Sequence, residues 1–275
     1  MDCDRGTRAV EPARVRIVDG RGRPLALAVE RWGNGRPLVL LHGMGSWRAI
    51  WRDFCPPYAC VALDLPGFGD SDLPRERQDL SDYAVSVARA IEALGLPERP
   101  ALVGHSFGAM VAVQAAARYR AAAALLLVAP AGFVEPVGAL SPTPWPLLNR
   151  LLIYLTSGDW FGRRMAEGLG LVPDRLSSAQ REALRRGWRR AREMARMGRF
   201  YRYPEMARDV ARLSVPVHVV AGDRDPLFPV ARLAPALAGV AVTWLPGVGH
   251  VPMLQDPEGF GAVATAILGR LYPPA

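Results

Sequence analysis

The chain has 275 residues, 50% of them hydrophobic, and carries 34 basic against 26 acidic side chains for a formal net charge of +8. That length buries one large core, or a core with a subsidiary domain, and is not too small to fold unaided. Every basic residue is arginine. Together with abundant Ala, Gly and Pro, whose codons are also GC-rich, this reads as genomic base composition rather than selection for polyanions. Neither a recognition fold nor interleaved stacking aromatics are evident, so no nucleic-acid partner is expected.

No run of about 18 or more uninterrupted apolar residues occurs, and Met1-Asp-Cys-Asp-Arg lacks the apolar segment of a signal peptide. The expectation is a soluble, cytoplasmic protein with no membrane partner. Cys3, Cys55 and Cys60 have neither the paired spacing of a zinc site nor the density of a disulfide scaffold. They read as inert thiols, with Cys60 in a strand, and no metal or cofactor is expected.

In chain order, Val15 to Val18 and Leu25 to Trp32 flank Asp19-Gly-Arg-Gly-Arg-Pro24, the pattern of an antiparallel hairpin. Leu38-Val-Leu-Leu41 is apolar without alternation, as in a parallel strand covered on both faces. It ends in His42-Gly43-Met44-Gly45, where glycines let backbone approach a ligand and the Met44 N–H is placed to serve as an oxyanion donor. Tyr58 to Leu65 is the next strand, and Asp64-Leu-Pro-Gly-Phe-Gly69 forces a sharp exit from it. Asp64 reads as a structural acceptor for loop N–H groups.

Asp79 to Leu96 has helical spacing through Tyr83, Val87, Ile91 and Leu94, with Gly95 and Pro97 ending it. Ala101-Leu-Val is a buried strand that runs into Gly104-His105-Ser106-Phe107-Gly108 and then into the almost wholly apolar helix Ala109 to Ala117. This is a nucleophile elbow, a strained strand-to-helix turn that exposes the serine at the sheet edge. The N–H of Phe107, near a helix N-terminus, is the other expected oxyanion donor. Ala123 to Val128 follows as a strand, and strands alternating with helices imply a parallel α/β sheet.

The alternation stops at Pro130-Ala-Gly132 and resumes at Val215. Phe133 to Ser214 is too long for a loop. It is rich in Pro and aromatics at first, and then has a helical stretch, Gln180 to Arg199, with an arginine-rich face that reads as solvated. We read it as a helical insertion lying over the catalytic edge. Val215 to Ala221, Leu227 to Leu237, Val240 to Leu245 and Pro257 to Leu271 then close the chain as strand, helix, strand and helix.

A serine hydroxyl needs a base within hydrogen-bond reach and a third group to hold that base. Of the four histidines, His42 lies in the oxyanion loop, His105 inside the elbow and His218 in a strand between valines. His250 follows Gly247-Val-Gly249 on a loop at the edge where the elbow opens, and is the expected general base. For the acid, Gly222-Asp223-Arg224-Asp225-Pro226 leaves its strand at the same edge. Asp225 lies further into the loop and reaches His250 more readily; Asp223 is the fallback and Glu135 a distant third.

These motifs resemble the α/β-hydrolase superfamily over nearly the whole chain: His42-Gly-Met-Gly45, Asp64-Leu-Pro-Gly-Phe-Gly69, Gly104-His-Ser-Phe-Gly108, Gly222-Asp-Arg-Asp225 with Pro229, and Gly249-His250-Val-Pro252. The resemblance implies a mostly parallel eight-stranded sheet flanked by helices with a cap inserted after the sixth strand. That divides the chain into core residues 1–132, a cap at 133–213 and core residues 214–275. It also favours Asp225 as the acid and places the oxyanion donors at Met44 and Phe107.

The resulting expectation is a Ser106-His250-Asp225 serine hydrolase acting through an acyl-enzyme on a small-molecule substrate, an apolar carboxylic ester or lactone. Serine at 106 argues against haloalkane dehalogenases and epoxide hydrolases, which resemble this chain but need a carboxylate nucleophile. Carbon–carbon hydrolases of ring-cleavage products are the alternative. They commonly carry Asn before the nucleophile and Trp after the histidine, where this chain has His105 and Val251. A cofactor-free perhydrolase and a non-catalytic accessory protein on the same fold are further alternatives.

Overall fold

A computed structural model of the chain describes residues 13–137, 166–171, 176–178, 181, 203 and 205–274. Eight strands form one sheet: β1 Ala13–Val18, β2 Pro24–Trp32, β3 Pro37–Leu41, β4 Ala59–Leu63, β5 Ala101–His105, β6 Ala124–Val128, β7 Val217–Gly222 and β8 Ala241–Leu245. Their order is β1-β2-β4-β3-β5-β6-β7-β8. β1 pairs with β2 and β2 with β4 in antiparallel fashion, and the remaining pairings are parallel. The expected hairpin and parallel interior are both present.

β3, β5 and β6 are buried at every position, which is what an apolar run without alternation requires of an interior strand. Each fully buried Leu or Val there contributes about 1.5–3 kcal/mol. Their pairing register sets Leu41 beside Gly104 and His105 beside Val128, so the carboxyl ends of these strands finish level with one another. Gly222 and Leu245 pair at the corresponding end of β7 and β8. Loops leaving that edge therefore converge, the usual place for a ligand in an open α/β sheet.

Six helices are described beside a single 3-10 turn, Arg48–Trp51: α1 Leu80–Ala93, α2 Phe107–Tyr119, α3 Met206–Arg212, α4 Val230–Ala236, α5 Pro252–Gln255 and α6 Pro257–Leu271. α1 starts where Asp79 and Asp82 form a reciprocal capping box. α2 is buried from Phe107 through Ala116, beneath the centre of the sheet edge. Trp51, Phe54 and Phe260 stack loosely between the 3-10 turn and α6, with ring centroids 5.3 to 6.4 Å apart.

Three elements differ from the sequence expectation. α4 begins at Val230 rather than Leu227, because the Asp225 carboxylate takes the N–H groups of Leu227 and Phe228 and Pro229 stands at the N-cap. α5 and α3 were not foreseen: the first is a single turn, and the second lies inside the stretch assigned to the insertion. The helix expected over Gln180 to Arg199, apart from Arg181, and most of the cap expected over 133–213 lie outside the described residues.

Candidate active site

Between the last residue of β5 and the first of α2 stands a single residue, Ser106, with φ 51° and ψ −112°. Holding a non-glycine residue in such a sparsely populated region costs on the order of 1–3 kcal/mol. Hydrogen bonds over-determine it: the Ser106 N–H donates to Val128 O at 2.9 Å, and its carbonyl accepts from Ala109 N–H at 3.0 Å and Ala131 N–H at 3.3 Å. The flanking glycines are sterically obligatory. A Cβ on Gly104 would lie 2.5 Å from Gly108 O, and one on Gly108 would lie 2.5 Å from Leu41 O. Ser106 is partly exposed, while residues 101–105 and 107–116 are buried.

The serine Oγ–H donates to His250 Nε2 at 3.0 Å. On the far side of the ring, His250 Nδ1–H donates to Asp225 Oδ2 at 2.8 Å. The other carboxylate oxygen accepts the N–H groups of Leu227 at 2.8 Å and Phe228 at 3.1 Å, which fixes the plane of the carboxylate. Burial alone would push the Asp225 carboxyl up. His250 and the two N–H donors outweigh it and hold this carboxyl below the ordinary aspartate range. Asp223 is turned elsewhere and accepts the Gly247 N–H at 2.7 Å. Glu135 is exposed. His218 pairs with Thr243 Oγ1 at 2.9 Å; its imidazole is satisfied, as expected, but half-buried rather than in the core.

The loop after β3 brings Met44 to the same edge, and Ser46 N–H closes it on Gly43 O at 3.2 Å. His42 supports this loop from beneath. Its Nδ1–H donates to Gly43 O at 2.7 Å, and its Nε2 accepts Leu65 N–H at 3.0 Å, which sets the neutral tautomer. Burial lowers its pKa to about 4. Asp64 is the hub below. It accepts the Arg48 N–H and the Asp70 N–H, each at 2.7 Å, and pairs with the Arg48 guanidinium. Arg48 also bonds Asp70 at 3.0 Å, while its Nε stands 3.2 Å from Glu30 Oε1 without hydrogen-bond alignment. Arg52 grips Glu30 through two bonds, at 2.6 and 3.1 Å. The expectation that Asp64 is a structural acceptor matches this geometry. Phe107 supplies the first amide of α2, beside the serine.

The backbone around His250 is held from three directions. His250 N–H donates to Leu169 O at 3.2 Å. Its carbonyl accepts His105 Nε2–H at 2.8 Å. Gly249 N–H donates to Gln255 Oε1 at 2.7 Å, and Gln255 Nε2 donates in turn to Gly170 O at 2.5 Å. His105 is buried, its pKa lowered to about 3 by desolvation and then by His250, so it is a neutral ring. Its Nδ1 has no hydrogen-bond partner among the described residues. Sequence reasoning placed His105 in the elbow without this contact and did not single out Leu169, Gly170 or Gln255.

Cys60 is a buried free thiol, and burial pushes its pKa far up, as expected of an inert cysteine. Cys55 is disulfide-bonded, which corrects the reading of three inert thiols. Among the described residues no group of three or more His, Cys, Asp or Glu side chains is arranged to hold a metal ion. No helix among them is long and apolar enough to cross a membrane.

A mostly parallel sheet with a serine at a strained strand-to-helix turn and a histidine and an aspartate on the following carboxyl-edge loops is the architecture of the α/β hydrolases. The family model described as "Alpha/beta hydrolase family" matches residues 38–263, and the chain belongs to that family. It is similar to the pimeloyl-[acyl-carrier protein] methyl ester esterase of Aeromonas salmonicida (strain A449), at 38% identity over 96 residues, or 34% of this chain and 36% of that one. The 2-hydroxy-6-oxo-6-(2'-aminophenyl)hexa-2,4-dienoic acid hydrolase of Metapseudomonas resinovorans is 26% identical over 262 residues, 86% of each chain. A solved thermophilic esterase from Thermogutta terrifontis shares the fold with a TM-score of 0.71 at 23% identity, covering 94% of this chain and 99% of its own.

Proposed function

We propose that the chain is a serine hydrolase that cleaves a carboxylic ester or lactone of a small to medium apolar substrate. The observation that carries this reading is the unbroken path from Asp225 through His250 to Ser106, with contacts of 2.8 and 3.0 Å. In the proposed reaction Ser106 Oγ attacks the acyl carbon as its proton passes to His250 Nε2. The N–H groups of Met44 and Phe107 take the developing oxyanion, each donor contributing on the order of 100- to 1,000-fold in rate. His250 then protonates the departing alkoxide, and water delivered by the same base releases the acyl group. Asp225 stays ionised throughout and holds the imidazole in the tautomer that leaves Nε2 free to accept a proton.

The ester as the scissile bond is supported by the matched segment of the pimeloyl-[acyl-carrier protein] methyl ester esterase. Carbon–carbon bond hydrolysis is the second reading, supported by the likeness to the dienoic acid hydrolase across 86% of both chains. His105 and Val251, where such hydrolases commonly carry Asn and Trp, weigh against it. The test is fluorophosphonate labelling together with turnover of a p-nitrophenyl ester and lactone panel. Wild-type protein is expected to label and turn over, and Ser106→Ala to do neither. Full ester turnover by Ser106→Ala overturns the mechanism, and turnover of a dienoate without ester activity favours the second reading.

A further inference from the structure

We infer that Gln255 is a positioning residue for His250, locking the base to the segment inserted between β6 and β7. The inference rests on the serine-hydrolase reading given above. A primary amide presents one acceptor and one set of donors, and Gln255 uses both. Its Oε1 receives the Gly249 N–H at 2.7 Å, immediately before the base, and its Nε2 donates to Gly170 O at 2.5 Å. The adjoining carbonyl of the same inserted segment, Leu169 O, accepts the N–H of His250 itself at 3.2 Å. Two consecutive carbonyls from residues 169 and 170 thus hold the His250 loop, one directly and one through Gln255.

Gln255 reaches this position because α5 turns the chain back within one turn of Pro252, its own N–H closing on Val251 O at 3.1 Å. The consequence for chemistry is geometric. His250 Nε2 stands 3.0 Å from Ser106 Oγ. A displacement on the order of 1 Å takes that pair beyond hydrogen-bond range and is enough to lower turnover by about 100-fold. Gln255 touches neither the serine nor the imidazole ring in any of these contacts; its effect on the reaction runs through the peptide units of residues 249 and 250.

The experiment compares wild type with Gln255→Met and Gln255→Glu. Met matches the side-chain length and removes both bonds. Glu keeps an acceptor for Gly249 but sets an oxygen against the Gly170 carbonyl. For each protein, kcat and KM on a p-nitrophenyl ester are measured, with the fluorophosphonate labelling rate and the final labelled fraction. Both variants are expected to label completely, but on the order of 10- to 100-fold more slowly, with the loss in kcat and KM within about threefold. A structural role alone would lower the labelled fraction and leave the rate per labelled site unchanged, and that result overturns the inference. So does labelling at the wild-type rate, or loss of the fold in both variants. Wild-type protein that does not label at all overturns the serine-hydrolase reading, and this inference with it.

Discussion

Replacing Asp225 by Asn tests the site by reversing one hydrogen bond. Oδ1 of Asp225 accepts two N–H groups, from Leu227 at 2.8 Å and Phe228 at 3.1 Å. An Asn amide set with its NH2 there would face two donors, so its oxygen takes that place and the NH2 turns to His250 Nδ1. The imidazole must then accept at Nδ1 and carry its proton on Nε2, which faces Ser106 Oγ 3.0 Å away. A protonated Nε2 cannot receive the serine proton. The same exchange in the serine triad of another fold lowers kcat on the order of 10,000-fold, equivalent to about 5 kcal/mol of transition-state stabilisation. Because the Asn oxygen keeps both backbone bonds, thermal unfolding monitored by circular dichroism should shift by only a few degrees. Steady-state kcat on a p-nitrophenyl ester is the readout. A variant within about tenfold of wild type would show that Asp225 does not set the tautomer of His250.

Stability should fall as pH is lowered from neutral, and the buried imidazoles give the sign. His42 and His105 titrate near 6.5 in the unfolded chain, but burial lowers them to about 4 and about 3 in the folded protein. Between those values the unfolded state binds more protons, so stability present above pH 6.5 is lost on the way down to about 4 for His42 and about 3 for His105, by up to about 1.4 kcal/mol per pH unit for each ring. Urea unfolding at pH 7.5 and 5.0 measures this; His42→Gln should show a shallower dependence, and equal wild-type stability at both pH values would contradict the assignment. Asp64→Ala should destabilise the fold by about 3–5 kcal/mol by leaving the buried Arg48 guanidinium short of its main partner. A loss below about 1 kcal/mol in the same assay would show that Asp70 and Glu30 suffice to hold that charge.

Much of this site is readable in one dimension because its chemistry sits on elements with strong local signatures. The elbow is legible because Gly104 and Gly108 are obligatory where backbones nearly touch, and the interior strands because burial on both faces removes alternation. The choice between Asp223 and Asp225 is different. Both lie on one loop, and only the path of that loop sends Asp223 to Gly247 and Asp225 to His250. The later start of α4 has the same origin, since the carboxylate that holds His250 also claims the amides that would have begun the helix. Gln255 and the 169–170 carbonyls left no trace at all in the sequence. A side chain bonded to the backbone of a distant segment imposes no period and needs no special residue at its far end.

The conformation of Ser106 has a consequence for anyone who would improve this protein. Its φ of 51° is one that glycine tolerates freely, so Ser106 stands where replacement by Gly should relax the backbone. A screen rewarding only heat tolerance would favour discarding the one hydroxyl on which turnover is proposed to depend. Directed evolution of this scaffold therefore needs selection on activity in every round.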